Sequence, residues 1–506
     1  MKPIPQMATE DRVKDAILII SCGIAQAAAL AVAAFATRDA FAAIHTGTPL
    51  ESATIFELAV SGLVAAACLF LSRRRAEALG QSYANSLRKV LYLQIARLPK
   101  LRHEERRVGA LSLRFVGDLS AARLWFGRGL PEVLTALVVL PSAIAILFAL
   151  DPDLARTGLV PLGIAVSIMG IMSWHLERRH RQLRQRRASI AISMIERIAI
   201  APELDLMGRT DKELRALDSR SAALRHSAVQ RRGRTAGLQA ILQAGVAMSG
   251  LSLLWFANGH AVAPATVAAS LSVLALVALP LGSLASAWDQ YCAWRVAREK
   301  AQNLLNERPL SRRSSSSREP VSVDVTGLQG GHPVAFRAAA GSVAKLEGPA
   351  AAVVARCISG LDLLADVEVS FDGSATTRPR IAHIGSEHVG LQGSLRRSVT
   401  MMCRTRPSDA KIENVLGDFG LADLLRHPKW LDQRVFAGGK GLSEMQTLRV
   451  DFARAVLGKV DLIVISSIRW KADPDQQGLL TTLRRLTPAT VILADAYTKT
   501  QHTEAL

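Results

Sequence analysis

The sequence predicts a polytopic α-helical membrane domain, six spans with long cytoplasmic helical extensions, joined to a cytosolic α/β domain. Three observations carry that prediction. Six apolar runs are long enough to cross a bilayer, arginine concentrates on alternate connections between them, and beyond Glu307 the texture changes to short alternating strands and helices. Length agrees, because 506 residues exceed one ordinary domain. So does composition, with nearly half the residues apolar.

The runs come in pairs: Ala16–Ala36 with Ala53–Leu71, Glu132–Leu150 with Leu154–Trp174, and Thr235–Ala257 with Pro264–Trp288. Each is close to the ~20 residues a helix needs to cross a hydrocarbon core. Pro141, Pro161 and Pro280 interrupt three of them, which neighbouring helices tolerate by satisfying the freed backbone groups. The first run ends in "AFA", like a cleaved secretory signal. Its apolar core is long for a signal and Glu10, Asp11 and Asp15 precede it, so a retained helix is expected.

The net charge of +19 is read by location. Between runs two and three stand Arg73, Arg74, Arg75, Arg88, Arg97, Arg102, Arg106, Arg107, Arg114, Arg123 and Arg128, and "ERRHRQLRQRR" (177–187) follows run four. The connections on the other side are short and nearly free of basic residues. That asymmetry predicts both long loops and both termini in the cytoplasm. A nucleic-acid binder would interleave its arginines with aromatic residues on a soluble face, and aromatic residues are scarce here, so no nucleic-acid partner is expected. Within Arg73–Lys100 an apolar set recurs at helical spacing (Leu79, Tyr83, Leu87, Val90, Leu91, Ile95, Leu98), predicting that span two continues into the cytosol. Glu57 is the carboxylate within the runs, besides Glu132 at a run's edge. An intramembrane charge is a candidate for function, but Glu57 better suits an interface position facing outward than a substrate contact.

Five cysteines (Cys22, Cys68, Cys292, Cys357, Cys403) lie far apart in sequence and form no Cys-x-x-Cys pair. Neither a zinc site nor a disulfide framework is indicated. Small buried hydrophobes are the expectation for those inside apolar runs.

"RPLSRRSSSSREP", from Arg308, reads as a linker, giving a membrane domain over 1–305, a linker over 306–320 and a soluble domain over 321–506. In that domain "SVDVTGL", "GSVAKLEG", a helix through Leu364, "VEVSFDG", "RIAHIG", a helix over Ser443–Leu457, "VDLIVIS" and "ATVILADA" make an α/β pattern.

This order of parts resembles an ABC half-transporter of the type I exporter kind, with an α/β P-loop-like ABC domain at its end. The first loop adds Gly109, Leu111, Arg114 and Asp118, similar to the family's coupling segment, and such loops end in a short helix that docks on the nucleotide-binding domain. "VAREKAQNLLNERPL" (296–310) resembles the usual exit from span six. The soluble landmarks keep their order but not their chemistry. A working phosphate loop is Gly-x-x-x-x-Gly-Lys-Ser/Thr. Here Gly348 matches the first glycine, while Val353, Val354 and Ala355 stand at the second glycine, the lysine and the hydroxyl. The sensing glutamine is Ser386. The signature Leu-Ser-Gly-Gly-Gln keeps Leu442, Ser443 and Gln446, with Glu444 and Met445 replacing both glycines. The strand that should end in Asp-Glu ends in Ser466 and Ser467. The histidine after the last strand is Ala496, with Asp495 as the alternative alignment, and Asp473 matches the dimer-contact aspartate.

Phosphoryl transfer depends on positioning and charge stabilisation. The resemblance therefore implies a pseudo-ATPase with no catalytic residue, no metal and no bound cofactor of its own, ATP and Mg being held by a partner. A helix N-terminus attracts phosphate without lysine, which leaves weak nucleotide binding open. The expected role is the membrane subunit of an exporter moving a hydrophobic or amphipathic substrate beside a competent half-transporter. The alternative is an ATP-independent scaffold or regulator that docks through the degenerate domain. Alanine and arginine bias points to a GC-rich bacterial genome, hence the inner membrane.

Overall fold

The structure is a computed structural model that describes residues 4–7, 10–105, 117–173, 186, 189–195, 197–198, 200–260, 262–310, 320–329, 332–374, 379–426 and 429–495. Two compact units divide the chain: residues 1–96 with 104–307, and residues 97–103 with 308–506.

In the first unit, helices α1 (Glu10–Thr46), α2 (Ser52–Ile95), α4 (Gly117–Leu150), α5 (Pro152–Ser173), α7 (Thr210–Gly259) and α8 (Pro264–Leu305) carry the six apolar runs, the last residue of run four lying outside the described residues. The short α6 (Ala201–Leu206) stands between α5 and α7, while α3 (Lys100–Glu105), which follows α2 in sequence, starts in the second unit. Pro141, Pro161 and Pro280 sit inside continuous helices. The α4–α5 turn needs a single residue: Asp151 accepts the Asp153 and Leu154 amides at 2.9 Å, satisfying the first turn of α5. Leu79, Tyr83, Leu87, Leu91 and Leu98 are buried, so the helical spacing in Arg73–Lys100 marks the packed side of α2 and its exit. Small residues close the bundle: Ala34, Ala143, Ala155 and Ala285 pack among Leu147 and Val277. Leu63, Phe70, Leu137, Ile171 and Leu279 face outward along the same helices, and an apolar flank of this extent is stable against lipid rather than water.

The second unit holds β1 (Val323–Gln329), β2 (His332–Ala338), β3 (Val343–Leu346), α9 (Ala351–Ile358), β4 (Val367–Phe371), β5 (Ile381–Gly385), β6 (Gly393–Ser394), α10 (Leu395–Thr400), α11 (Asp409–Asp418), α12 (Ala422–Leu425), β7 (Arg434–Val435), α13 (Glu444–Gly458), β8 (Leu462–Ser466), α14 (Ile468–Ala472), α15 (Gln476–Leu486) and β9 (Thr490–Ala494). Four parallel strands run in the order β3-β9-β8-β5, and an antiparallel sheet runs β2-β1-β4. Every residue of β8 is buried, as a strand covered on both faces requires. Strand β2 was not expected from the sequence. The helix expected to run through Leu364 stops at Ile358, because Gly360 turns the chain at φ +65°.

Candidate nucleotide-binding site

A phosphate loop needs free amides between the end of a strand and the start of a helix. Gly348, at φ +110°, turns the chain out of β3 as only glycine does readily. The helix then begins too early for such a loop. Ala350 caps α9, and its carbonyl accepts the amides of Val353 at 3.0 Å and Val354 at 2.9 Å. Two amides at the positions of the second glycine and the lysine are thus already spent. Val354 and Ala355 are 1% and 0% exposed, packed in the apolar cluster with Val323, Leu462 and Ile492. Arg356 does not replace the missing lysine: its Nε lies 2.9 Å from Asp362, both side chains buried.

The ends of β5 and β8 are joined by an imidazole. His383 Nδ1 lies 2.8 Å from Ser359 Oγ, which itself donates to the Ala355 carbonyl at 2.7 Å, so Nδ1 is the protonated nitrogen and donates. Nε2 is then the acceptor for the Ser466 hydroxyl, at 3.4 Å. Burial, with the Lys100 and Arg356 charges, pushes His383 down to about 4, so the ring is neutral near pH 7. Ser467 is 1% exposed and its Oγ has no hydrogen-bond partner. Mg²⁺ demands hard oxygen ligands, usually with one or two carboxylates. These positions present two serine hydroxyls and a neutral imidazole. Ser386, at the sensor position, is exposed, and its Oγ accepts the Ile468 amide at 3.4 Å.

The signature remnant is a helix cap. Ser443 Oγ accepts the Gln446 amide at 3.1 Å and Gln446 Oε1 accepts the Ser443 amide at 2.9 Å, a reciprocal capping box. Glu444 is exposed in the first turn of α13, where a carboxylate suits the helix dipole. Leu442 packs on the main core. Asp473 is 2% exposed and accepts the Asp475 amide at 2.9 Å, while Asp495 pairs with Lys471 at 2.9 Å. Ala496 lies outside the described residues.

Sequence reading missed a buried charge network. Asp451 on α13 meets Arg469 on α14 at 3.0 Å, Arg454 at 3.2 Å and His388 Nδ1 at 2.9 Å. Arg469 also donates to the Gly385 carbonyl at 2.8 Å and to Thr447 at 2.9 Å, and Arg454 to the carbonyls of Ser398 and Val389 at 2.7 Å. Burial lowers Arg454 below its ordinary value. The one sequence signal was a carboxylate amid the apolar face of α13.

Of the coupling residues, Gly109, Leu111 and Arg114 lie outside the described residues, and Asp118 is in the first turn of α4. The short helix α3 begins before those residues. At its start the Lys100 amide donates to the Leu361 carbonyl at 2.7 Å and the Leu101 amide to Asp362 at 2.8 Å, within the second unit. Glu57 is exposed on α2.

Comparison with known proteins agrees with this architecture. Residues 16–262 match the family profile described as the ABC transporter transmembrane region. An uncharacterized ABC transporter ATP-binding protein of Bacillus subtilis, YknV, is 22% identical over 442 residues, spanning 80% of this chain and 72% of that protein. Among solved structures, a bacterial Atm1-family ABC exporter with ATP bound aligns at TM-score 0.78 and 18% identity, covering 97% of this chain and 92% of that one. With six helices long and apolar enough to span a membrane and an α/β domain after them, residues 16–262 are similar to the ABC transporter transmembrane region and the chain has the fold of a type I ABC exporter half-subunit.

Proposed function

We propose that this chain is the non-hydrolysing membrane subunit of an ABC-type exporter, acting beside a second half-transporter that binds and cleaves ATP, and moving a hydrophobic or amphipathic substrate across a bacterial inner membrane. The observation that carries the reading is the early start of α9, which spends the Val353 and Val354 amides on Ala350 and buries Val354 and Ala355 in the core. No charge remains there for the outer phosphates, and the hydroxyls of Ser466 and Ser467 with the His383 imidazole do not fit Mg²⁺. The residues expected to hold ATP and Mg²⁺ do not suit either, so no hydrolytic step is assigned to this domain. The apolar outer faces of α2, α4, α5 and α8 support a bilayer setting.

The test is purification of the tagged chain from native membranes, followed by ATPase assay of the chain alone and of whatever accompanies it. The chain alone is expected to show no Mg²⁺-dependent hydrolysis, and a co-purifying half-transporter to supply it. Hydrolysis by the isolated chain would overturn the proposal. Recovery without any half-transporter would favour an ATP-independent scaffold, a reading the acidic Glu444 in the signature remnant also favours.

A further inference from the structure

Cys22 and Cys68, far apart in the sequence, meet where α1 packs on α2. The register of that antiparallel hairpin is set residue by residue. Arg12 of α1 donates to the Ser82 hydroxyl at 3.3 Å and to the Ser82 carbonyl at 3.4 Å. Asp15 pairs with Arg75 at 3.5 Å, and Ile19 shares a buried cluster with Ala76 and Leu79. Residues 12, 15, 19 and 22 stand three or four apart, so they form one stripe on α1. About two turns beyond the Asp15–Arg75 pair, counted up the chain on α1 and down it on α2, Cys22 and Cys68 come level. Their thiols share a hydrogen bond there. The ion pair and the thiol contact thus report the same register independently.

The two sulfurs are not equivalent. Cys22 is 6% exposed, whereas Cys68 is partly exposed on the same helix turn as Leu69 and Phe70, which face outward. Both lie within apolar runs, where lipid rather than water delivers a reactant. A thiol that can be reached, with a second thiol against it, is the arrangement that turns a first oxidation into a disulfide instead of an overoxidised sulfur. Both cysteines are free in the structure, so a bridge between them requires an oxidant from outside.

We infer that Cys22 and Cys68 are a redox modification site, a dithiol that an organic hydroperoxide dissolved in the lipid converts to a disulfide joining α1 to α2. Cys68 reacts first. Its sulfur attacks the terminal oxygen of the hydroperoxide, the O–O bond breaks, and the departing alkoxide takes the thiol proton and leaves as an alcohol. The Cys68 sulfur is then a sulfenic acid. The Cys22 sulfur attacks it, the S–S bond forms, and the hydroxyl leaves with the Cys22 proton as water. Two thiols and one hydroperoxide give one disulfide, one alcohol and one water, the sulfurs losing the two electrons that the peroxide gains. Thiol reductants reverse the bridge by exchange.

The experiment treats the reduced full chain in lipid nanodiscs with cumene hydroperoxide, blocks the remaining thiols with N-ethylmaleimide, and maps the peptides by mass spectrometry without reduction. A Cys22–Cys68 linked peptide is expected, two hydrogen atoms lighter than its parts and lost on adding dithiothreitol. Cys22→Ser should abolish the bridge and leave Cys68 to be trapped as its sulfenic acid by dimedone. Cys68→Ser should abolish the bridge and leave Cys22 without a dimedone adduct. Hydrogen peroxide at equal concentration, confined largely to water, should form the bridge more slowly. The wild-type map alone is decisive, so a variant that folds poorly does not blur the result. Overoxidised Cys68 with no bridge, or bridges that join either cysteine to Cys292 or to a second chain, would overturn the assignment. Bridging no slower with hydrogen peroxide would overturn the lipid route. The readout needs neither ATP nor a second half-transporter, so it is independent of the pseudo-ATPase reading.

Discussion

Val354 stands where a phosphate loop carries its lysine, and the difference is not only a lost charge. Its isopropyl group is 1% exposed among Val323, Leu462 and Ile492, so the chain has turned a ligand position into a core position. The same exchange occurs at His383, whose ring joins Ser359 and Ser466 and is held neutral by burial. That ring makes stability depend on pH. Its folded value, about 4, lies below the ordinary 6.5, so the unfolded chain binds more protons between those values. Stability is full above about pH 6.5 and is lost as pH falls toward about 4, by at most about 3 kcal/mol. Thermal melts of the full-length protein in detergent from pH 7.5 to 4.5 should show this slope, and His383→Asn should flatten it. An unchanged slope in that variant would place the pH dependence elsewhere.

At the scale of elements, α13 is the part that holds the soluble unit in register. Its N-terminus is closed by the Ser443–Gln446 box, and at its middle Asp451 gathers Arg454, Arg469 and His388. Three segments meet at that carboxylate: α13 itself, the stretch after β5, and α14 after β8. A buried ion group costs desolvation to assemble, so its net stabilisation is modest, but removing one member strands the others. Asp451→Ala should therefore destabilise the protein by about 3–5 kcal/mol. The Asp451→Leu/Arg469→Leu double variant should lose clearly less than the sum of the Asp451→Leu and Arg469→Leu single changes, as read by a double-mutant cycle on chemical unfolding. Additive losses would mean that Asp451 and Arg469 do not act as a pair.

For the whole molecule, the governing fact is the distribution of arginine about six apolar helices. The proposal of cytoplasmic termini and long cytoplasmic loops follows from that asymmetry. It predicts that Thr48→Cys, in the exposed α1–α2 turn, reacts with a membrane-impermeant maleimide on intact cells. Val229→Cys, exposed on the extension of α7, should react only after permeabilisation. Labelling in the reverse order would invert the topology.

Local rules were enough to read the spans, because a helix needs about twenty apolar residues wherever it crosses lipid and the count is visible in the chain. They were also enough for the α/β order of the soluble domain, since strand and helix periods differ, and for the apolar side of Arg73–Lys100. The early start of α9, the Ser359–His383–Ser466 chain and the charges gathered on Asp451 were decided in three dimensions. The last two join residues distant in sequence, such as His383 and Ser466 or Asp451 and His388. The energy of a buried polar group depends on what surrounds it rather than on its neighbours along the chain, so only the folded structure determines which oxygens are satisfied and which are left open.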